Sequence, residues 1–160
     1  MIYASADQQV LGYLGRALSL ELSAVQQYST QARLAATWGL NEAAERLQQE
    51  ASEELAHVDR IISRMLALGV APNASQLRPV RLGNSLGELL LQNHAFETEL
   101  VQMYQRASQH CVRIGDHDNR QFFETLLAEE ITHGQELARW LEILQQPGAA
   151  PSREVERATF

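Results

Sequence analysis

The sequence predicts an all-α fold: four long helices in an up-down-down-up bundle, with a long crossover in the middle and a short fifth helix near the C-terminal end. Three observations carry this. Apolar residues recur at spacings of three and four over four segments, with no alternating strand pattern between them. Helix start and stop signals divide the chain at regular places. Two of the three connections are too short for anything but an antiparallel return, whereas the third is long enough to traverse the bundle.

The elements follow in order. Ser5 with Gln8 reads as a capping box, opening a helix that runs to about Thr37 or Trp38, with Gly39 as its stop. Asn41 then caps a second helix that ends near Gly69. Pro72, Asn73, Pro79 and Gly83 mark 70–83 as the crossover. Ser85 with Glu88 is a second capping box, starting a helix that reaches about Ile114. Gly115 and Asp116 break the chain before a fourth helix that ends ahead of Pro147-Gly148. Pro151 can open the short fifth helix, at about 151–158. The crossover, about 14 residues, reaches roughly 46 Å when extended. A helix of about 28 residues is roughly 42 Å long. Helices two and three can therefore lie parallel, which is the ferritin-like arrangement. All of 1–160 reads as a single ferritin-like domain, with the four-helix bundle at about 5–146.

Composition narrows the function classes. The net charge is −7 and every basic residue is Arg, with no basic tail or cluster. Nucleic-acid binding therefore has no electrostatic footprint, and no apolar run is long enough to span a membrane. The start, Met1 to Ser5, lacks the basic and apolar regions of a secretory signal. Cys111 is alone, so there is no disulfide framework, Cys-x-x-Cys clip or iron–sulfur motif. A reducing cytoplasm is the expected location.

One pattern occurs twice. Glu21 is followed 33 residues later by Glu54, with His57 three beyond; Glu97 is followed 33 residues later by Glu130, with His133 three beyond. At this Glu and His frequency chance supplies about half a Glu-x-x-His match, and the paired upstream Glu lowers the odds about a hundredfold further. Each acid also sits inside its helix's apolar stripe. Glu21 falls among Leu11, Leu14, Leu18, Val25, Tyr28 and Ala32; Glu54 and His57 among Ala43, Leu47, Glu50/Ala51, Ile61, Met65 and Leu68. Glu97 falls among Leu86, Leu90, Asn93, Leu100, Tyr104, Ala107 and Cys111; Glu130 and His133 among Phe123, Leu126, Leu137, Leu141 and Leu144.

Four carboxylates buried together without cations would cost several kcal/mol apiece. Two divalent cations balance them. Glu and His at i, i+3 share one helix face and can reach one metal. Carboxylate oxygen with imidazole nitrogen and no thiolate suits iron or manganese, with zinc possible. The candidate ligands are thus Glu21, Glu54, His57, Glu97, Glu130 and His133. Tyr28, two turns beyond Glu21, is either plain core or a hydrogen-bonding, redox-active neighbour of the metals. His94 reads as a packed or rim residue. His110 and His117 lie near helix ends and read as solvated or favourable to a helix dipole. Cys111 reads as a small core residue, and Trp38 and Trp140 as packing or interface residues.

At these residues the chain resembles the bacterioferritins. The resemblance runs through Tyr13-Leu14, Glu21-Leu22, Gln27-Tyr28, Trp38-Gly39-Leu40, Glu54-x-x-His57-x-Asp59-Arg60, Glu97 and Glu130-x-x-His133. It implies a 24-subunit hollow cage that oxidises Fe(II) with O₂ or H₂O₂ and stores ferric mineral. It implies Glu54 and Glu130 as bridging ligands, Glu21 and Glu97 as terminal ones, and one histidine on each iron. Two departures stand out. The haem-ligand methionine of the family is here Leu55, which has no donor atom, so the resemblance implies little or no haem in a homopolymer. The chain is then a haem-free form, or it co-assembles with a methionine-bearing bacterioferritin subunit. The positions of an inner-surface iron site carry Gln49 and Glu53 instead of a His and an Asp. Two rivals remain: a non-storage di-iron oxidase or peroxidase, rubrerythrin-like or hydroxylase-like, and a structural bundle without redox work.

Overall fold

The computed structural model of the protein describes residues 6–146. Helix α1 spans Gln8–Thr37, α2 Asn41–Ala67, α3 Leu86–Ile114 and α4 His117–Leu144; no strand occurs among the described residues. The fold is a four-helix bundle in which α1 packs on α2 and α3 on α4. The fifth helix expected at about 151–158 lies outside the described residues, as does Ser5.

The helix ends correct two expectations. Asp7, not Ser5, caps α1, its Oδ1 accepting from the Gln9 and Val10 N–H groups at 3.0 Å. Asn41 is the first residue of α2 and not its cap; that position belongs to Leu40, which makes no side-chain capping bond. The turn explains why. Gly39, at φ 78°, closes α1 by donating to Ala36 O, while Leu40 N–H reaches back to Ala35 O, both at 3.0 Å. This paired closure brings an apolar residue just past the glycine onto the helix it ends. Leu40 is accordingly buried beside Ala35 and Leu47. Packing outweighs the polar cap. The same closure recurs at Gly115, where Asp116 N–H donates to Cys111 O, but there Asp116 also caps α4 through Asn119 N–H. At α3, Ser85 Oγ accepts from Glu88 N–H as expected, while the Glu88 carboxylate reaches Asn84 N–H, one residue before the cap.

The crossover, residues 68–85, is fastened to α1 by a row of polar side chains one turn apart. Ser19 Oγ accepts from Gln76 N–H, Ser23 Oγ from Arg78 N–H and Gln27 Oε1 from Arg81 N–H; Gln27 Nε2 also donates to Arg81 O. Four helical residues rise about 6 Å, close to the advance of two extended residues, as from 76 to 78; the next step, from 78 to 81, takes three residues. That match lets an irregular strap satisfy its backbone on a helix. Arg78 adds a bidentate ion pair to Glu99, anchoring the strap to α3.

The interior is divided. One apolar cluster contains Leu14, Leu18, Ile61, Leu100, Tyr104 and Phe123; another contains Ala35, Leu40, Leu47, Leu90, Leu137 and Trp140. Burying each large side chain contributes about 1.5–3 kcal/mol. The carboxylate-bearing turns lie between these clusters, so hydrophobic packing on both sides holds the four helices at the site.

Candidate metal centre

All six sequence-derived candidates converge. Glu21, Glu54 and Glu130 are 0% exposed, Glu97 1% and His57 4%; His133 is half-buried. They form two overlapping quartets whose donor atoms lie within 4.8 Å of one another: Glu21, Glu54, His57 and Glu130, then Glu54, Glu97, Glu130 and His133. Glu54 and Glu130 belong to both.

The atoms show how the sharing works. His57 Nδ1 lies 3.2 Å from Glu54 Oε2, 2.8 Å from Glu130 Oε1 and 3.3 Å from Glu21 Oε1. His133 Nδ1 lies 2.9 Å from Glu54 Oε1 and 3.4 Å from Glu130 Oε2. Each shared carboxylate therefore turns one oxygen to each histidine. The imidazoles stack with centroids 5.7 Å apart and planes 18° from parallel.

The donor set fits a pair of cations. Both oxygens of Glu54 and Glu130, Oε2 of Glu21 and Glu97, and Nδ1 of both histidines are buried with no hydrogen-bond partner. Buried polar atoms left this way cost free energy unless something else meets them. Eight such atoms facing one centre, all carboxylate or imidazole, suit hard to borderline divalent ions such as iron or manganese.

Outer partners orient these donors. His57 Nε2 sits 2.8 Å from Glu129 Oε2, and His133 Nε2 3.0 Å from Glu53 Oε2. A carboxylate accepts, which assigns the ring protons to Nε2 and frees Nδ1 for the centre. Arg60 also donates to Glu129, and Gln49 to Glu53. Tyr28 donates to Glu97 Oε1 and Tyr104 to Glu21 Oε1, each at 2.7 Å. Tyr28 is thus a hydrogen-bonding neighbour of a candidate ligand as well as a core residue.

Electrostatics reflects the crowding. Burial pushes Glu21 up to about 7, with Glu54 adding to the rise. Burial likewise puts Glu130 well above the usual carboxylate range, Glu21 and Glu97 reinforcing it. Burial alone would raise Glu54 too, but the close approach of Glu21, His133 and His57 lowers it instead. Burial disfavours the His57 imidazolium, yet Glu21 and Glu54 raise it to about 10; His133 rises to about 9, chiefly through Glu54. Without a cation, protons take up the charge.

The comparisons with known proteins agree with this geometry. The family described as Ferritin-like domain matches residues 11–146. Bacterioferritin from Rhodobacter capsulatus is 36% identical over 127 residues, 79% of each chain. The Brucella melitensis bacterioferritin is 32% identical over 158 residues, covering 94% of this chain and 98% of that one. The chain belongs to the bacterioferritin family. A crystal structure of the R. capsulatus bacterioferritin superposes with a TM-score of 0.84 at 32% identity, covering 91% of this chain and 99% of that one. That structure is described with a metal-free dinuclear site and a haem iron in a crystallographic special position.

Within the family frame, the position read as the haem-ligand site, Leu55, is 48% exposed on α2. The remaining sequence candidates stay outside the centre. His94 is half-buried at the rim of an outer depression with Leu91 and Gln135. His110 is not solvated: it is buried, with Nε2 2.8 Å from Asp7 at the start of α1. His117 is exposed at the first turn of α4, and Cys111 is a fully buried core residue. Trp140 packs under Arg46, whose guanidinium carbon lies 4.1 Å from the ring centroid.

Sequence reasoning missed three partners: Tyr104, Glu53 as a bond to His133, and Glu129. A signal was present. Glu21 and Glu97, Tyr28 and Tyr104, Glu53 and Glu129, and His57 and His133 all stand 76 residues apart. The repeat extends beyond the six ligand candidates to the groups that hold them.

Proposed function

We propose that the chain is an iron-storing ferroxidase of bacterioferritin type, one domain through 1–160, cytoplasmic, and assembled as a hollow 24-subunit cage. The observation that carries this reading is the presentation of Glu54 and Glu130, each with one oxygen toward His57 and the other toward His133. Such carboxylates suit bridging ligands. Glu21 and Glu97 then serve as terminal ligands, and His57 and His133 bind one metal each. Two Fe(II) ions are the substrate. Holding them side by side lets O₂ or H₂O₂ take two electrons in one encounter, which limits release of one-electron oxygen radicals.

Leu55 supports a haem-free homopolymer or co-assembly with a haem-binding bacterioferritin subunit, because its side chain offers iron no donor atom. The partners of this reading are iron, the oxidant and further copies of a ferritin-like chain.

Sedimentation before and after aerobic Fe(II) loading, with an absorbance spectrum across each boundary, tests the proposal. A particle near 24 subunits that grows denser with iron and shows no Soret band is the expected result. A dimer that takes up only about two irons per chain would replace this reading with a non-storage di-iron oxidase or peroxidase.

A further inference from the structure

We propose that Tyr104 is a positioning residue of the dinuclear site, the counterpart of Tyr28, holding the Glu21 carboxylate so that the first metal position is ordered as the second is by Tyr28. The proposal rests on the ferroxidase reading and assigns Tyr104 a part that its place in an apolar stripe does not suggest.

The geometry is reciprocal. Tyr104 is on α3, in the half that carries Glu97, yet its hydroxyl donates to Glu21 Oε1 on α1 at 2.7 Å. Tyr28 is on α1, in the half that carries Glu21, and donates to Glu97 Oε1 at 2.7 Å. Both rings are 0% exposed. In each pair the second carboxylate oxygen, Glu21 Oε2 or Glu97 Oε2, is buried without a partner. Each phenol thus binds one oxygen of a terminal carboxylate and leaves the other uncommitted.

Sequence and packing make the crossing necessary. Glu21 and Glu97 are each followed seven residues later by a tyrosine, two turns on the same helix face. Helices α1 and α3 lie in contact, so a phenol two turns along one helix comes opposite the acid of the other. Phe123 packs on the Tyr104 ring at 6.3 Å between centroids, and Phe96 on Tyr28 at 6.4 Å. Both rings are therefore held by an aromatic neighbour, tilted at Tyr104 and edge-on at Tyr28, as well as by their hydroxyls. A carboxylate that enters with one oxygen already oriented gives up less side-chain freedom when metal binds.

Anaerobic titration of the whole assembly with Co(II), followed by its d–d absorbance, tests this. The wild type is expected to fill two positions per chain. Tyr104→Phe should weaken one of them by about tenfold or more, the usual scale for losing an outer hydrogen bond to a ligand, and alter the d–d bands of that site. Tyr28→Phe should weaken the other, and the double variant both. Two unchanged steps with an unchanged spectrum in Tyr104→Phe would overturn the proposal alone. A wild type without two buried Co(II) positions would overturn the ferroxidase reading and this proposal with it.

A second measurement, made on the wild type and on Tyr28→Phe, does not require Tyr104→Phe to fold. Metal-minus-apo infrared difference spectra of both proteins, grown on ring-¹³C tyrosine, report each phenol whose hydrogen bond changes on loading. Tyrosine bands that survive in Tyr28→Phe are expected; their complete loss there would overturn the role of Tyr104.

Discussion

Tyr28 and Glu97 belong to opposite halves of the bundle, yet the phenol donates a 2.7 Å hydrogen bond to Glu97 Oε1 in an interior closed to water. Burial and the facing carboxylates Glu97 and Glu54 push the phenol well above its usual range, so it remains a donor at any physiological pH. Tyr28→Phe removes that donor and leaves Glu97 less satisfied. Metal-free stability should fall by about 1–3 kcal/mol in urea denaturation. Fe(II) oxidation should slow by about tenfold in stopped flow. An unaltered rate would return Tyr28 to a packing role.

Glu54 touches both halves, so its loss should be felt by both metals. Glu54→Ala is expected to lower initial Fe(II) oxidation by about 100-fold or more, while His133→Ala lowers it less, since only one position loses its nitrogen. Sedimentation should show an intact assembly in both. Fast oxidation persisting in Glu54→Ala would sink the ligand assignment.

The metal-free protein should lose stability as pH rises. His57 and His133 titrate in the fold at about 10 and 9, above the unfolded value of 6.5. Glu21 and Glu50 titrate at about 7 and 8, above 4.5. For Glu50 the cause is burial first and Glu97 second. A raised folded pKa contributes stability that is complete below the unfolded value and lost as pH passes the folded one. The decline should therefore run from pH 4.5 to about 8 for the acids and from 6.5 to about 10 for the imidazoles. Because metal displaces those protons, Co(II) affinity should rise over the same window. Denaturation midpoints in EDTA at pH 5, 7 and 9 check the first trend. A midpoint that climbs across that series would contradict it.

Gln27 holds the crossover by both ends of its amide, accepting from Arg81 N–H at 2.8 Å and donating to Arg81 O at 2.6 Å. Gln27→Ala should cost about 1–3 kcal/mol. Hydrogen exchange should rise first at residues 76–81, where the strap lies on α1, and remain slow in the α2 core. Uniform acceleration across all helices would mean that the strap is not a separate unit.

Leu55 bears on haem. Leu55→Met supplies a thioether at a 48% exposed α2 position, and reconstitution with haem should then produce a Soret band that the parent lacks. Equal haem uptake by parent and variant would remove Leu55 from the argument.

The helices, their faces and the six candidate ligands were legible because helical period and i, i+3 spacing are local properties. Glu54 with His57, and Glu130 with His133, share a face wherever the helix goes. The turn after α1 was less legible. Asn41 looks like a cap by residue type, but Leu40 occupies that position because the closure at Gly39 draws it into the core. The start of α1 is similar: Ser5 with Gln8 matches a capping motif by residue type, whereas Asp7 holds the cap just ahead of Val10, the first core residue.

By itself the sequence determined four amphipathic helices, the long crossover and a doubled ligand pattern, since each depends on residues near one another along the chain. Only the tertiary structure decided which atoms meet. Tyr104 reaches Glu21 across 83 positions, and Glu129 reaches His57 across 72. Those contacts depend on how far each helix is rotated and slid against its neighbours, and that is set by the two apolar clusters packed on either side of the site.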